Sequence, residues 1–376
     1  RPMGFPKTGV FALLDLVGLD LMPHILESLG RTLPEGDGFH AVNRDPELIR
    51  AMVADGYTGR KGKGGFYRLN TESGERVKEA MDLETRAYQT AAKPKLESVA
   101  AARKGGPRAL MEHPDKGGRY AWRVMSRTLA YSASLVPEIA DDIAAVDEAM
   151  RLGYNWKSGP FELMDKIGPA WFAGRLEADG QAVPDLLAAA RSKSFYRTEG
   201  GRLQHLGIDG SYADVPRPEG VLLLNDIKAR TRPLASNWAA SLWDAGDGVC
   251  CLEFHSKMNS IGPGIMAMIW KSLKIVGRDH KALVIYNEGS NFSVGANLGL
   301  VVVPAMVRAW FLIDLLIWAG QKTFMSLKRA PFPVVAAPSG LALGGGCEIL
   351  LHSDAVQAHA ETYTGLVETA VGIVPA

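Results

Sequence analysis

The residues of this sequence that could do chemistry are concentrated in two glycine-containing turns and two glutamates. Gly344-Gly345-Gly346-Cys347-Glu348 follows the apolar run Pro333–Ala337 and precedes a helix predicted over Ile349 to Ser353. Glycines there permit positive φ angles and close approach of the backbone to a ligand. Free N–H groups at a helix start favour negative charge on a bound oxygen, which is what an oxyanion hole requires. A tight strand-to-helix turn also needs glycine, so this tract alone does not decide the matter. A second tract, Phe292-Ser293-Val294-Gly295-Ala296-Asn297-Leu298, follows the apolar run Leu283–Tyr286. Two such turns could present backbone donors to one site, and the pair favours a functional reading.

Glu348 falls in the first turn of the predicted helix, where a carboxylate also simply complements the helix dipole. Glu368 lies twenty residues later, between Val367 and Thr369, a place equally natural for a solvated charge. Flanking an oxyanion hole, the two could hold one water and divide acid and base duties, provided their environments separate their pKa values. The histidines offer no rival centre: His352 and His359 are the closest pair, with no carboxylate arranged as a metal ligand or triad orienter. Ser353 and Asp354 beside His352 do not make a triad, because adjacent residues seldom converge. No metal is expected.

These residues need a scaffold. After a polar linker, Ala213 to Gly220, short apolar runs appear at Val221–Leu224, Val249–Phe254, Leu283–Tyr286 and Val334–Ala337. They alternate with helical segments such as Ser260 to Val276, which predicts an α/β domain. That domain reads as unfinished, since the chain stops at Ala376 just after Gly372-Ile373-Val374-Pro375. Before the linker the pattern is helical, with no convincing alternating strand, and Pro137 predicts a break within Ala130 to Arg151. The sequence also repeats itself. Lys7-Thr8-Gly9-Val10-Phe11, with Leu13, Asp15 and Gly18, recurs 150 residues later as Lys157-Ser158-Gly159-Pro160-Phe161, with Leu163, Asp165 and Gly168. Phe66-Tyr67-Arg68 recurs at a shorter offset as Phe195-Tyr196-Arg197.

Bulk properties narrow the class. A length of 376 residues predicts two or three domains at about 100–200 residues each. With 42 Lys+Arg against 41 Asp+Glu there is no basic footprint for a nucleic-acid partner. Three cysteines, without zinc-type spacing, fit a reducing cytoplasm. Arg1 opens the chain without a signal-peptide pattern, so the sequence reads as a fragment. Val301 to Gly320 is apolar, but Arg308 and Asp314 interrupt it and Pro304 sits near its start; a buried amphipathic helix, not a membrane span, is expected.

The order and spacing of Phe292–Leu298, Pro333–Glu348 and Glu361–Ala376 resemble the crotonase superfamily. The resemblance implies that the N–H groups of Ala296 and Gly345 bind a thioester oxygen, with Glu348 and Glu368 as the water-positioning acid and base of an enoyl-CoA hydratase. It also implies that Ser256, Lys257 and Met258 belong to the turn that meets the CoA adenine. Asn297 stands where many relatives have Asp, which leaves a backbone oxyanion hole untouched. The repeated Gly-x-Phe…Asp…Gly tracts, with Gly59-Arg60-Lys61-Gly62-Lys63-Gly64-Gly65-Phe66-Tyr67, are similar to the helical C-terminal domain of 3-hydroxyacyl-CoA dehydrogenases. The basic turn Arg60–Lys63 could attract CoA phosphates, although a solvated loop is the plainer reading.

The resemblance therefore implies a multidomain chain: an all-α, duplicated dehydrogenase C-terminal region followed by a partial α/β crotonase-type (ββα) domain. The segments are 1–118 (first copy, incomplete at its N-terminus), 119–215 (second copy) and 216–376 (crotonase domain, incomplete at its C-terminus). It implies fatty-acid β-oxidation, in which 2-enoyl-CoA is hydrated and the product oxidised with NAD. The alternatives are a Δ3–Δ2-enoyl-CoA isomerase and a non-catalytic helical scaffold. Gly262-Pro263-Gly264 lacks the third glycine and the context of a dinucleotide turn, so NAD is expected to bind a domain outside this chain, and no dehydrogenase catalytic residue is assigned. An acyl-CoA substrate is expected, with thiolase or a second copy of the chain as the possible protein partner.

Overall fold

The sequence repeat becomes a repeat of structure. Gly9 and Gly159 precede the helices Val10–Val17 and Pro160–Ile167, which end at Gly18 and Gly168. In the first, the Phe66 and Tyr67 N–H groups each donate to the Asp15 carboxylate at 2.8 Å. In the second, the Phe195 and Tyr196 N–H groups donate to Asp165 at 2.7 and 2.8 Å. Each helix thus anchors the start of the strand that its Phe-Tyr pair leads into, Tyr67–Asn70 or Tyr196–Glu199, and the rings Phe11–Phe66 and Phe161–Phe195 pack at centroid distances of 4.6 and 5.1 Å. This computed structural model describes residues 2–44, 46–71, 74–92, 94–372 and 374. Arg1 and Ala376, the outer limits of the expected segments, and Ile373 and Pro375 of the closing stretch lie outside them.

The chain divides into two units, Arg1–Arg197 with Gln204–Val215, and Thr198–Leu203 with Pro216–Ala376. The first is built mainly of helices. Lys116–Ser134 starts at Asp115, whose carboxylate accepts the Gly118 N–H at 2.8 Å, and Ile143–Tyr154 starts at Asp142, which accepts the Ala145 N–H at 2.8 Å. Such caps satisfy donors that a helix start leaves free. Pro137 lies between the two helices, as its backbone chemistry requires. Trp122, Met125, Leu129 and Ala133 recur at helical spacing and bury the inward face against Phe161, Phe172 and Phe195.

Contrary to the expectation of no strands before about residue 220, this unit carries two small sheets. Tyr67–Asn70, Val77–Met81 and Tyr88–Thr90 form one, and Tyr196–Glu199, Arg202–Leu206 and Tyr212–Asp214 the other. These strands are three to five residues long. Few of their side chains are buried, so their sequences show little apolar alternation.

The second unit holds a six-stranded sheet in the order Ala355–Val356, Val334–Ala337, Ala282–Tyr286, Val249–Phe254, Ala240–Gly246, Ala235–Ser236. The first four are parallel neighbours. Val249–Phe254 is buried along nearly its whole length, as a parallel sheet covered on both faces demands. A smaller sheet follows each turn of the chain: Asn291–Ser293, Leu341–Leu343 and Tyr363–Gly365 pair in parallel, in that order. The chain therefore runs from large sheet to small sheet to helix, repeatedly.

Val221–Leu224 is not a strand; Leu224 begins the helix Leu224–Arg230, and its N–H donates to Glu288 Oε1 at 2.7 Å. A carboxylate 64 residues away supplies the start that the local sequence lacks. Nor is Val301–Gly320 one buried helix. Gly299–Met306 buries none of its residues, Arg308 turns the chain at φ 57°, and Trp310–Lys328 buries only Gly320, Thr323, Phe324 and Leu327, near its end. Among the described residues no helix is long and apolar enough to cross a membrane.

Candidate active site

The smaller parallel sheet positions the site. With Asn291–Ser293, Leu341–Leu343 and Tyr363–Gly365 side by side, the loops that leave their ends emerge along one edge. Those loops carry Ala296, Gly345 and Glu368.

Backbone hydrogen bonds fix the direction of the first donor. Ile261 bridges Ala296 in parallel fashion: the Ile261 N–H donates to Gly295 O at 2.8 Å and the Asn297 N–H to Ile261 O at 3.0 Å. N–H groups alternate in direction along extended chain, so the Ala296 N–H points away from Ile261. Among the described residues it has no acceptor. Neither has the N–H of Gly345, which opens the helix Gly345–Leu351. The two are neighbours, since a Cβ built on Gly345 would lie 3.7 Å from Ala296 N, and one on Gly295 would lie 3.1 Å from Gly345 N. Gly295 is required outright: at φ 87°, a Cβ would also meet Leu343 O at 2.7 Å.

Two carboxylates lie against this turn. Glu348 is 6% exposed, and its Oε2 lies 3.5 Å from where a Gly345 Cβ would stand. Glu368 opens the short 3-10 helix Glu368–Val371. Its Oε1 lies 2.8 Å from the position of a Gly344 Cβ, at a glycine with φ 52°. Glu368 Oε2 is buried with no hydrogen-bond partner among the described residues, an arrangement that costs free energy until a donor arrives. A water or substrate hydroxyl is such a donor.

Ser256, Lys257 and Met258 form a tight turn tied to the same loop. Ser256 Oγ donates to Ser260 O at 2.9 Å, and Met258 takes the left-handed conformation at φ 56°. Asn259 Nδ2 donates to Asn291 O at 2.8 Å, and Ser293 Oγ donates to Asn259 O at 2.8 Å. Lys257 and Met258 are exposed. Thus Ala296, Gly345, Glu348 and Glu368 stand together, and the Ser256–Met258 turn is fastened to the strand that leads to Ala296.

Sequence reasoning passed over three supporting residues. Ser293, fully buried, also accepts the Gly295 N–H at 3.2 Å. Asn287, buried, accepts the Phe254 N–H and donates to Phe292 O at 2.7 Å. Ile261 supplies the bridge to Ala296. Only the position of Ser293, two residues ahead of Gly295, was a signal available in the chain. Elsewhere, burial pushes the Cys250 thiol up to about 11 and Cys251 to about 12, so neither is a thiolate nucleophile. The three cysteines are free, and among the described residues no cluster of histidine, cysteine and carboxylate could hold a metal.

The turn Gly262-Pro263-Gly264 does not fit a dinucleotide. Gly262-Pro263-Gly264 opens the helix Pro263–Asp279, but a Cβ on Gly264 would meet Trp238 at 2.6 Å and Ala239 at 2.8 Å. That glycine admits protein packing, not a pyrophosphate.

Comparison with known proteins finds two families in this chain. Residues 244–376 match the family described as enoyl-CoA hydratase/isomerase, and residues 1–69 and 118–198 match the C-terminal domain of 3-hydroxyacyl-CoA dehydrogenase. A probable 3-hydroxyacyl-CoA dehydrogenase of Bacillus subtilis is 38% identical over 99% of this chain and 47% of its own length. A putative fatty acid oxidation complex trifunctional enzyme of Rickettsia felis is 30% identical over 99% of this chain and 48% of its own. The chain therefore spans about half the length of the curated relatives it matches. Among solved structures, an enoyl-CoA hydratase from Bacillus anthracis is 23% identical, covering 36% of this chain and 54% of that one, with a TM-score of 0.33.

Proposed function

For a chain that joins the C-terminal helical region of the 3-hydroxyacyl-CoA dehydrogenases to an enoyl-CoA hydratase/isomerase region, we propose the hydration of 2-enoyl-CoA in fatty-acid β-oxidation. The observation that carries this reading is the convergence of two acceptor-free N–H groups, Ala296 and Gly345, with the carboxylates of Glu348 and Glu368. The two N–H groups hold the thioester oxygen. One carboxylate takes a proton from a water whose oxygen bonds to C3. The C2–C3 π pair moves toward the thioester oxygen as enolate charge, which the N–H groups stabilise. The other carboxyl group delivers a proton to C2. Lys257 and the turn around it meet the CoA adenosine end, and their tie through Ser293 keeps that end in register with the oxyanion donors.

Several wider assignments rest on the same reading. Residues 1–118 and 119–215 are two copies of the dehydrogenase helical unit, and 216–376 is the crotonase domain. NAD, which supplies hydride acceptance for oxidation of the 3-hydroxyacyl-CoA product, binds a region outside this chain, and the protein works in the cytoplasm. A thiolase-type enzyme is the protein partner that consumes the oxidised product.

The test is hydration of crotonyl-CoA by the purified protein, followed as loss of the conjugated thioester absorbance. Glu348→Gln and Glu368→Gln should each lower kcat by about 10²–10⁴ while leaving CoA binding intact. No hydration by wild-type protein that binds CoA, with isomerisation of a 3-enoyl-CoA retained, moves the assignment to a Δ3–Δ2 isomerase. Loss of both activities together with CoA binding leaves a helical scaffold.

A further inference from the structure

The helices that follow the Ala296 loop turn an apolar face outward. Gly299–Met306 buries none of its residues, and Trp310–Lys328 buries none before Gly320. Met306 is 79% exposed, Phe311 69%, Trp310 58% and Trp318 57%. Within Trp310–Lys328 the buried Gly320, Phe324 and Leu327 make one stripe. Phe311, Leu315, Trp318, Lys322 and Arg329 recur at helical spacing on the opposite face, and all five are exposed. That outward stripe is apolar where it begins and basic where it ends. A contiguous apolar patch of this kind marks an interaction surface, and the order of its residues narrows the partner.

Two hollows adjoin along this face. A groove of about 630 Å³ between Pro263–Asp279 and Trp310–Lys328 is walled by Met266, Trp270, Leu312, Leu315 and Trp318, with Lys322 also in its lining. A second hollow, of about 340 Å³, shares Trp270, Trp318 and Lys322 with the first and adds Arg329. The first suits hydrocarbon and the second an anion. Lys322 Nζ stands 5.9 Å from the centre of the Trp318 ring, so cation and apolar wall are neighbours. Lys271, Lys274, Arg308 and Lys328 are exposed around them. Among the described residues none of these four, nor Lys322 or Arg329, is in an ion pair. Asp279 is held by Arg278 at 2.6 Å, which leaves Asp314 as the one unpaired acid described on the three helices. The indole N–H groups of Trp310 and Trp318 have no acceptor among the described residues. Tryptophan, an apolar ring with one donor, settles where hydrocarbon meets a polar headgroup.

We propose that this face docks on the surface of an anionic phospholipid bilayer. Phe311, Leu315 and Trp318, with the exposed side of Gly299–Met306, enter the upper acyl-chain layer, and Lys322 and Arg329 meet lipid phosphates. Among the described residues no helix is long and apolar enough to cross a membrane, so the helices lie in the plane of the interface, as amphipathic helices with aromatic and basic residues do. Charge complementarity selects the bilayer. Unpaired cations around an apolar centre match a layer of phosphates over hydrocarbon. A second copy of the chain does not match, because two such faces brought together oppose the same unpaired cations. The inference does not depend on the hydratase reading, and its test does not use that activity.

The test is flotation of the purified protein with vesicles of phosphatidylcholine alone or of phosphatidylcholine mixed with phosphatidylglycerol. The protein should float with the mixed vesicles, bind the neutral ones at least about tenfold more weakly, and lose binding as salt rises from about 0.1 to 0.5 M. Phe311→Asp with Leu315→Asp should weaken binding at least about 100-fold. Both side chains are exposed, so the melting temperature of that variant should stay at the wild-type value, which serves as the check on folding. Lys322→Gln with Arg329→Gln should weaken binding about 10-fold to 30-fold, and Asp314→Asn should strengthen it. Lipids brominated on their acyl chains should quench the tryptophan fluorescence of the bound protein. Trp310→Leu with Trp318→Leu should keep the binding and lose most of that quenching. The proposal fails if folded wild-type protein leaves the mixed vesicles, or if the double aspartate variant binds them as well as wild type. It also fails if the protein forms an oligomer without lipid that the double aspartate variant dissolves, because a second copy then covers the face.

Discussion

Gly344→Ala separates the geometry of the site from its stability. Gly344 sits at φ 52° and ψ −122°, a region that only glycine occupies without strain, so the backbone penalty for alanine is about 1–3 kcal/mol. The new methyl would stand 2.8 Å from Glu368 Oε1 and 3.5 Å from its Cδ. That obstacle is the end of a flexible side chain, so the carboxylate swings away and the fold survives. A displacement of about 1 Å at a reacting group costs roughly 10²-fold in rate, equivalent to about 2.7 kcal/mol of barrier. The expected result is a folded protein, melting a few degrees lower, that binds CoA normally and hydrates crotonyl-CoA about 10²–10³ times more slowly. Gly289→Ala, at a position with nothing within 4 Å of the added methyl, should change neither property. Hydration within about threefold of wild type in folded Gly344→Ala protein would refute the argument that Glu368 works from its place against this turn.

Ser293→Ala removes a buried hydroxyl that donates to Asn259 O and accepts the Gly295 N–H; stability should fall by about 1–3 kcal/mol, and KM for crotonyl-CoA should rise more than kcat falls, as steady-state kinetics would show. Asp165→Ala leaves the Phe195 and Tyr196 N–H groups without their acceptor, so denaturant unfolding should give a loss of about 2–5 kcal/mol, with a comparable loss for Asp15→Ala if the two copies are built alike. Burial raises the Asp147 carboxyl from 3.8 to about 7, against the opposing hydrogen bonds from Phe161 and Glu162. Because the folded state then holds a proton that the unfolded chain releases, this group stabilises the fold fully below pH about 4 and progressively less up to pH about 7, a difference of about 4 kcal/mol. Asp147→Asn should flatten that slope in pH-dependent unfolding; a slope unchanged by the substitution would count against a protonated Asp147.

The parts of this molecule legible in its sequence are those encoded by short-range residue type. Gly-x-Phe with an aspartate six residues after the glycine marks a helix, because a glycine start is a local requirement, while the repeat of Phe-Tyr further on marks the N–H groups that the aspartate accepts, 51 residues beyond Asp15 and 30 beyond Asp165. The strands Val249–Phe254, Ala282–Tyr286 and Val334–Ala337 announced themselves by continuous apolar runs, as strands buried on both faces do. Val221–Leu224 carries a similar apolar signal, but a strand needs a neighbour and this segment has instead the Glu288 carboxylate to start a helix. The small sheets of the helical unit carry little apolar period to read: in the first, the partly buried Arg68 and Glu79 pair across two strands at 2.6 Å. Val301–Gly320 misled in the opposite direction: apolar composition predicts burial, while Trp310, Phe311 and Trp318 remain more than half exposed.

The candidate site divides in the same way. Each of its glycines and glutamates stood out by type and order, but nothing local states that loops fifty and twenty residues apart leave one edge together; the parallel register of Asn291, Leu341 and Tyr363 does that. Gly9 and Gly159 differ in surroundings that the sequence does not distinguish. In sequence they are the same residue in the same motif, each followed two positions later by phenylalanine. In the fold one is pressed against an aspartate and the other faces empty space. A glycine at a helix start costs conformational entropy that serine or aspartate there would not; at position 159 the close approach of Asp147 accounts for it, and that approach is made across twelve residues of chain, where the motif itself carries no sign of it.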